Sequence, residues 1–169
     1  TCSRTGARCY QSFFNDQELV NKTVFIPMAG KTLDINYFIE QGAHVVAIEC
    51  SKKAINEYFL ENKIDFESTV QGPYNIYKAG KLTYIEGDYF NLTKSLIGHI
   101  DYVYDRASVV AMPREMRTLY IDKIAELTNK ETTYCILTFE CDLDVTIGPP
   151  FMIPAKELET SYKDHNINL

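Results

Sequence analysis

The stretch TVFIPMAGKTLDINYFIEQGAHVVAIE, residues 23–49, decides the fold. TVFIPM is a continuous apolar, β-branched run, the pattern of a strand buried on both faces. KTLDINYFIEQG follows; Leu33, Ile35, Tyr37, Phe38 and Ile39 fit a helix that Lys31 begins, and Gly42 is a natural terminator. AHVVAIE is a second buried strand. SKKAINEYFLENK, residues 51–63, predicts a second helix, with Ser51 as N-cap and Ala54, Ile55, Tyr58 and Phe59 at helical spacing. Two βα units in succession imply an α/β fold: a mostly parallel, Rossmann-like sheet with right-handed crossovers and helices on both faces.

The remaining segments extend that pattern. Residues 65–80 hold Gly72, Pro73 and Gly80 and read as a connector. KLTYIEGD (81–88) is a third strand, IDYVYDR (100–106) a fourth and TTYCILTFE (132–140) a fifth. Between the last two, residues 113–129 predict a long helix starting near Pro113, with Met116, Leu119, Tyr120, Ile124 and Leu127 inward. IGPPF (147–151) is an irregular loop, because paired prolines do not sit in a sheet interior. PAKELETSYKD (154–164) predicts a closing helix. Ahead of the first strand, residues 1–11 show no period, and SFFNDQELVNK (12–22) suits a short helix capped by Asn15 or Asp16. The expected organisation is a single domain over 1–169, with 1–22 as an arm.

Composition narrows the function classes. At 169 residues the chain suits one domain with a real core, and 46% hydrophobic with 24% charged residues is ordinary for a soluble protein. A formal net charge of −6, without a basic stripe, argues against a nucleic-acid surface. The apolar runs are too short to span a bilayer, and no signal-peptide layout opens the chain, so a cytoplasmic location is expected; a monomer is expected as well. Cys2, Cys9, Cys50, Cys135 and Cys141 form no CxxC pair, and His44, His99 and His165 are scattered, so neither a disulfide framework nor a metal site is expected. Two glycosylation-type triplets, at Asn21 and Asn91, lack a secretory context.

In open α/β sheets ligands bind beyond the carboxyl ends of the strands. Here those ends carry Met28, Ala29, Gly30 and Lys31, then Glu49, then Asp88 and Tyr89, then Asp105 and Arg106. Glu49 lies about twenty residues past the glycine turn, the spacing at which a carboxylate reaches ribose hydroxyls. Gly30 lets backbone approach a ligand closely, and the helix after it offers N-terminal amides to a carboxylate or phosphate. Each feature has a blander alternative: Gly30 serving only the turn, Glu49 as a solvated strand end, Asp88 as a turn cap. Their recurrence on four successive strand ends points to a ligand site. The dinucleotide pattern GxGxxG and the triphosphate loop GxxxxGK[ST] are both absent. A ligand without a pyrophosphate fits better. S-adenosyl-L-methionine has a ribose diol for Glu49, an adenine for the Asp88–Tyr89 edge and an amino-acid tail for the first turn. Tyr84, Tyr102 and Tyr104 suit either an aromatic pocket or sheet packing, the commoner role.

VFIPMAGKTLDINYFIEQGAHVVAIECSKKAI (24–55) resembles the signature of the thiopurine S-methyltransferase family: a P-L-C-G-K turn, a helix, G-H-x-V-V-G-V-E and S-x-x-A-I. GDYFNL (87–92), IDYVYDRASVVAM (100–112) and IGPPFMIPAKELE (147–159) resemble further motifs of that family, in order, over roughly 23–160. The resemblance implies a class I S-adenosylmethionine-dependent methyltransferase whose product is S-adenosyl-L-homocysteine. It implies that Met28, Ala29, Gly30 and Glu49 contact the cofactor, that Asp88 and Tyr89 flank its adenine, and that Arg106 lies near both cofactor and acceptor. The implied acceptor is the sulfur of a thiopurine or another aromatic or heterocyclic thiol. Halide, small thiol or selenium and tellurium anions are the alternative, as is a protein that binds the cofactor without turnover. Arg106 is expected to favour an anionic acceptor, with Asp105 orienting it or touching the acceptor; an ion pair with Asp105 or another acid is the structural alternative for Arg106. The chain departs from the family in having no tryptophan and in ending at Leu169, before the family's last antiparallel hairpin. A trimmed chain or an altered lid is expected, and a sheet without that hairpin.

Overall fold

The computed structural model describes residues 13–14, 18–138, 148–163 and 167. Their strands are β1 (Thr23–Ile26), β2 (His44–Glu49), β3 (Glu67–Gln71), β4 (Tyr74–Ala79), β5 (Leu82–Glu86), β6 (Tyr102–Arg106) and β7 (Thr133–Leu137). They form one seven-stranded sheet in the order β3-β4-β5-β2-β1-β6-β7. The five strands from β5 to β7 are parallel, and β3 and β4 extend the β5 edge antiparallel. The helices are α1 (Asp34–Glu40), α2 (Lys52–Asn62), α3 (Lys94–Ile97), α4 (Arg114–Leu127) and α5 (Ala155–Lys163).

Side-chain alternation along the central strands builds two cores. Val24 and Ile26 of β1, with Tyr102 and Tyr104 of β6, pack against Ile35 and Phe38 of α1 and Ile55, Tyr58 and Phe59 of α2. Phe25 and Val103, one residue out of step, pack with Tyr120, Ile121, Ile124 and Leu127 of α4 and Leu158 and Tyr162 of α5. The expected α/β sheet, clad on both faces, is therefore present. Ser51 caps α2, its hydroxyl accepting from the Ala54 amide at 3.3 Å.

Two expectations need correction. Residues 65–80 are not a mere connector but the β3–β4 hairpin. Gly72 and Pro73 form its two-residue loop, and Gly72 takes the positive φ of 59° that such turns ask of their first central residue. Tyr74 and Ile76 then alternate into the second core. The close approach of Tyr74 also explains Gly87, where a Cβ would fall 2.2 Å from the tyrosine ring. In α4 the inward stripe is Tyr120, Ile121, Ile124 and Leu127, whereas Met116 and Leu119 are exposed. Ile121 takes the inward place expected of Met116 and Leu119, while Tyr120, inward as expected, reaches Asp105. The expectations for the 1–11 arm, the Asn15 or Asp16 cap, Cys2, Cys9, Cys141 and His165 lie outside the described residues, as does the end of the fifth predicted strand. Among the described residues no helix is long and apolar enough to cross a membrane.

Asp101 fixes the entry to the sheet. Its carboxylate accepts from the Thr23 amide at 2.8 Å and from Lys22 Nζ at 3.1 Å, and its own amide donates to the Thr23 carbonyl at 3.0 Å. Burial works against its ionisation, but the Thr23 amide and Lys22 outweigh that and hold the carboxyl below its ordinary value. Asp101→Asn should therefore lower stability at pH 7 by about 1–2 kcal/mol in urea unfolding, chiefly through the charged bond to the Thr23 amide. An acid whose folded pKa is depressed contributes above its unfolded pKa, about 3.9, and loses that contribution as pH falls through the folded value. The gap between the two proteins should narrow below about pH 4; a constant gap from neutral pH down to pH 3 would refute the assignment.

Candidate active site

The turn after β1 is held from within the fold by hydrogen bonds to its backbone. Met28 and Gly30 take positive φ values of 46° and 58°. The Ala29 amide donates to the Ile48 carbonyl at 2.8 Å, and the Gly30 amide donates to Glu49 Oε2 at 2.9 Å. On the other side of the same residue the Gly30 carbonyl accepts from the Tyr84 hydroxyl. A Cβ built on Gly30 would meet nothing within 4 Å, so the outer face of the turn is open. Glu49 Oε1 accepts from the Ser51 amide at 2.8 Å and from the Cys50 thiol at 3.4 Å. Burial, followed by the Glu49 carboxylate, pushes the Cys50 thiol up, so it stays protonated and donates. Lys31 points away, paired with Glu61 at 2.7 Å and Glu57 at 3.1 Å on α2. The helix that follows begins only at Asp34 and is seven residues long, with an acidic residue already in its first turn. Its N-terminus is thus not the anion cradle expected from the sequence, and the Ala29 and Gly30 amides of the turn are themselves taken up by Ile48 and Glu49.

After β5, Asp88 is exposed and caps a short 3₁₀ turn, Tyr89–Asn91. Its carboxylate accepts from the Phe90 amide at 2.9 Å and from Asn91 Nδ2 at 2.8 Å. Tyr89 points inward. Its ring stacks on Tyr120 with centroids 4.9 Å apart, and its hydroxyl donates to the Tyr120 carbonyl at 3.0 Å. Phe90, with Met116 and Leu119 of α4, lines an apolar groove of about 370 Å³ beside this turn.

After β6, Asp105 and Arg106 part company. Successive residues of a strand point to opposite faces, so Asp105 enters the α4 core and Arg106 the α1 side. Asp105 is fully buried; it accepts from the Ser108 and Val109 amides at 3.0 and 3.2 Å and from the Tyr120 hydroxyl at 2.7 Å. Burial pushes its carboxyl above the ordinary carboxylate range against the pull of those donors. The expectation that Asp105 orients Arg106 or meets an acceptor is therefore corrected: it anchors the loop after β6. Ser108 in turn donates to the Pro27 carbonyl at 2.7 Å, tying that loop to the β1 turn. Among the described residues, an acid that holds Arg106 is Asp34, at 2.9 Å, a residue that sequence reading missed. Tyr84 and Tyr104 are sheet-packing residues, as the commoner reading had it, but their hydroxyls serve the site by holding Gly30 and Asp34. Farther along the chain, the Phe151 amide donates to the Val110 carbonyl at 2.6 Å, which brings the loop containing Pro149 and Pro150 against the β6 loop.

A family model described as thiopurine S-methyltransferase matches residues 5–169. The chain belongs to the thiopurine S-methyltransferase family. The thiopurine S-methyltransferase of Teredinibacter turnerae is 38% identical over 142 residues, 83% of this chain and 65% of that protein. That of Pseudomonas syringae pv. tomato is 35% identical over 136 residues, 80% and 62% respectively. This family member thus spans less than two thirds of the length of either. Among solved structures, the magnesium protoporphyrin IX methyltransferase of Synechocystis, with bound S-adenosylhomocysteine, superposes with a TM-score of 0.65 at 14% identity over 94% of this chain and 69% of that one. The 1,6-didemethyltoxoflavin-N1-methyltransferase of Burkholderia thailandensis, also with S-adenosylhomocysteine, gives 0.62 at 16% identity over 94% and 64%. At such identities the likeness is one of fold: the sheet of this thiopurine S-methyltransferase family member is the class I methyltransferase sheet.

The anchoring role of Asp105 has a measurable signature. Asp105→Ala leaves two amides and a phenol without their acceptor in a dry core, and should cost more than about 3 kcal/mol in urea unfolding. Asp105→Asn keeps an oxygen for the amides and should retain the fold. An Asp105→Ala protein that unfolds like wild type would refute the anchoring role.

Proposed function

We propose that this chain binds S-adenosyl-L-methionine at the ends of β1, β2 and β5 and transfers its methyl group to the sulfur of a small aromatic or heterocyclic thiol such as a thiopurine. The observation that carries the reading is the state of the Glu49 carboxylate. Its two oxygens hold the Gly30 and Ser51 amides at 2.9 and 2.8 Å. A carboxylate offers about four lone-pair sites: one remains open on Oε2, and the second on Oε1 is held only by the Cys50 thiol, an arrangement that suits the two hydroxyls of a ribose. A hydroxyl on Oε1 would displace only the Cys50 thiol, a weak donor. The open face of Gly30 leaves room for an amino-acid tail against the turn, beside Met28 and Ala29. Asp88, exposed and with acceptor capacity left, would receive an adenine amine; Tyr89, whose ring is committed to the core, would contribute backbone only.

When bound, the cofactor supplies a methyl on a positively charged sulfur that leaves with the bond pair as the acceptor sulfur forms its own bond to the carbon. The chain's residues then have one main task, alignment, which alone lowers the barrier by several kcal/mol. An aromatic thiol is largely ionised near neutral pH, so no residue has to remove its proton. Arg106 is the cation at the strand ends suited to favour the anionic acceptor. The choice of acceptor rests on the family and its named relatives. A cytoplasmic monomer acting on a small molecule completes the reading.

Calorimetric titration with S-adenosylmethionine and S-adenosylhomocysteine tests the site. Both should bind, and Glu49→Gln should weaken them about tenfold, or 1.4 kcal/mol, by removing the charge that receives the diol. A folded protein that binds neither would end the cofactor assignment. A panel of thiopurines, halides, small thiols and selenium or tellurium oxyanions, each offered with labelled methyl donor, tests the acceptor. Transfer to the oxyanions alone would overturn the thiol reading, and binding without transfer to any acceptor would overturn turnover.

A further inference from the structure

We infer that Asp34 is the positioning residue for Arg106, acting together with Tyr104; the inference rests on the role proposed above for Arg106. Asp34 opens α1 and lies 72 residues from Arg106 in sequence, yet a single oxygen, Oδ2, accepts both from Arg106 Nη1 at 2.9 Å and from the Tyr104 hydroxyl at 3.0 Å. Asp34 is only 4% exposed, whereas the Arg106 side chain is 43% exposed. The pair is therefore asymmetric. Its acid end is fixed in the core between α1 and β6, and its basic end reaches the solvent-facing strand ends.

That asymmetry separates it from an exchangeable surface ion pair. A carboxylate taken out of water must be matched by donors or it destabilises the fold. Here the donors are the guanidinium and the phenol, and both come from the same face of β6, two residues apart. Burial, with Asp34 next, pushes the Tyr104 hydroxyl well up, so it remains a donor across the accessible pH range. The phenol fixes where Oδ2 sits, and Oδ2 fixes the position of Nη1. Thr32 Oγ1, 3.5 Å from the same Nη1, lies along the same approach. With both acceptors on Nη1, the planar guanidinium is restricted in how it can turn about its anchored end. Arg106 is thus aimed before any acceptor arrives, a saving in ordering cost of the kind that raises turnover rather than affinity.

The inference predicts non-additivity. Arg106→Ala should slow methyl transfer to a thiopurine at saturating donor. Asp34→Asn, which keeps the shape and removes the charge, should lower kcat about tenfold while S-adenosylhomocysteine affinity stays within twofold of wild type. In the Arg106→Ala background, Asp34→Asn should lower kcat no further, because the group it positions is gone. Equal slowing in both backgrounds, or an Asp34→Asn enzyme with wild-type kcat, would overturn the inference. Should Asp34→Asn fail to fold, Tyr104→Phe carries the same test: a smaller fall in kcat that vanishes in the Arg106→Ala background supports positioning, and a fall that persists there overturns it. An Arg106→Ala enzyme with unchanged kinetics would instead remove the role proposed for Arg106, an outcome distinct from slow Arg106→Ala with unaffected Asp34→Asn.

Discussion

The strand ends come together because β1, four residues long, is paired in parallel on both sides. Phe25 is in register with Val46 of β2 and with Val103 of β6. Parallel pairing gives all three strands the same direction, so Met28, Glu49 and Arg106 emerge at one edge of the sheet. A strand so short has few ladder bonds of its own. Its hold comes from the buried faces above and below it and from Asp101 at its start. Loss of β1 would separate the turn, the carboxylate and the guanidinium at once.

The same strand geometry sorts the polar residues beyond β6 into two jobs. Asp105 and Arg106 are neighbours in sequence and read naturally as a charge pair. The pleat forbids it: one enters the core under α4, the other the α1 face. Asp105 then stabilises the loop that carries Ser108 back to Pro27, while Arg106 finds a carboxylate on another element altogether. Each face of the sheet thus supplies one buried acid that fixes a functional segment from behind, Asp105 for the loop and Asp34 for the arginine.

What was legible in the sequence was what is local. TVFIPM and AHVVAIE declare buried strands by unbroken β-branched runs, and Ser51 declares the start of α2 by cap chemistry, because each signal and its cause lie within a few residues of each other. The hairpin over residues 65–80 is not legible because Gly72 and Pro73 read as breakers, although a glycine at the first place of a two-residue loop is also what joins antiparallel strands. The separation of Asp105 from Arg106 was available from period two alone. Asp34 was not: nothing near it in KTLD indicates a partner 72 residues away, and an acidic residue in a first helical turn has an ordinary explanation in the helix dipole. Tyr89 shows the converse, since an aromatic after a strand end reads equally as a ligand wall or as core, and only packing against Tyr120 decides.

The bonds around the β1 turn also bear on how a ligand would be received. The Gly30 and Ser51 amides already donate to the Glu49 carboxylate, and the Gly30 carbonyl already accepts from the Tyr84 hydroxyl. Binding therefore does not have to assemble the turn; it would add a donor to the open position on Glu49 Oε2 and replace the weak Cys50 donor on Oε1. Ordering costs of that kind weigh heavily in association, and a site that has met them in folding can spend its new contacts on affinity. The charge around it points the same way. Glu49 and Asp88 stand at the strand ends as acids, and the positive charge of Arg106 is countered from behind by Asp34. A ligand carrying a positive centre next to a neutral diol suits that balance better than a polyphosphate does, which agrees with the absence of a glycine-rich phosphate loop after β1.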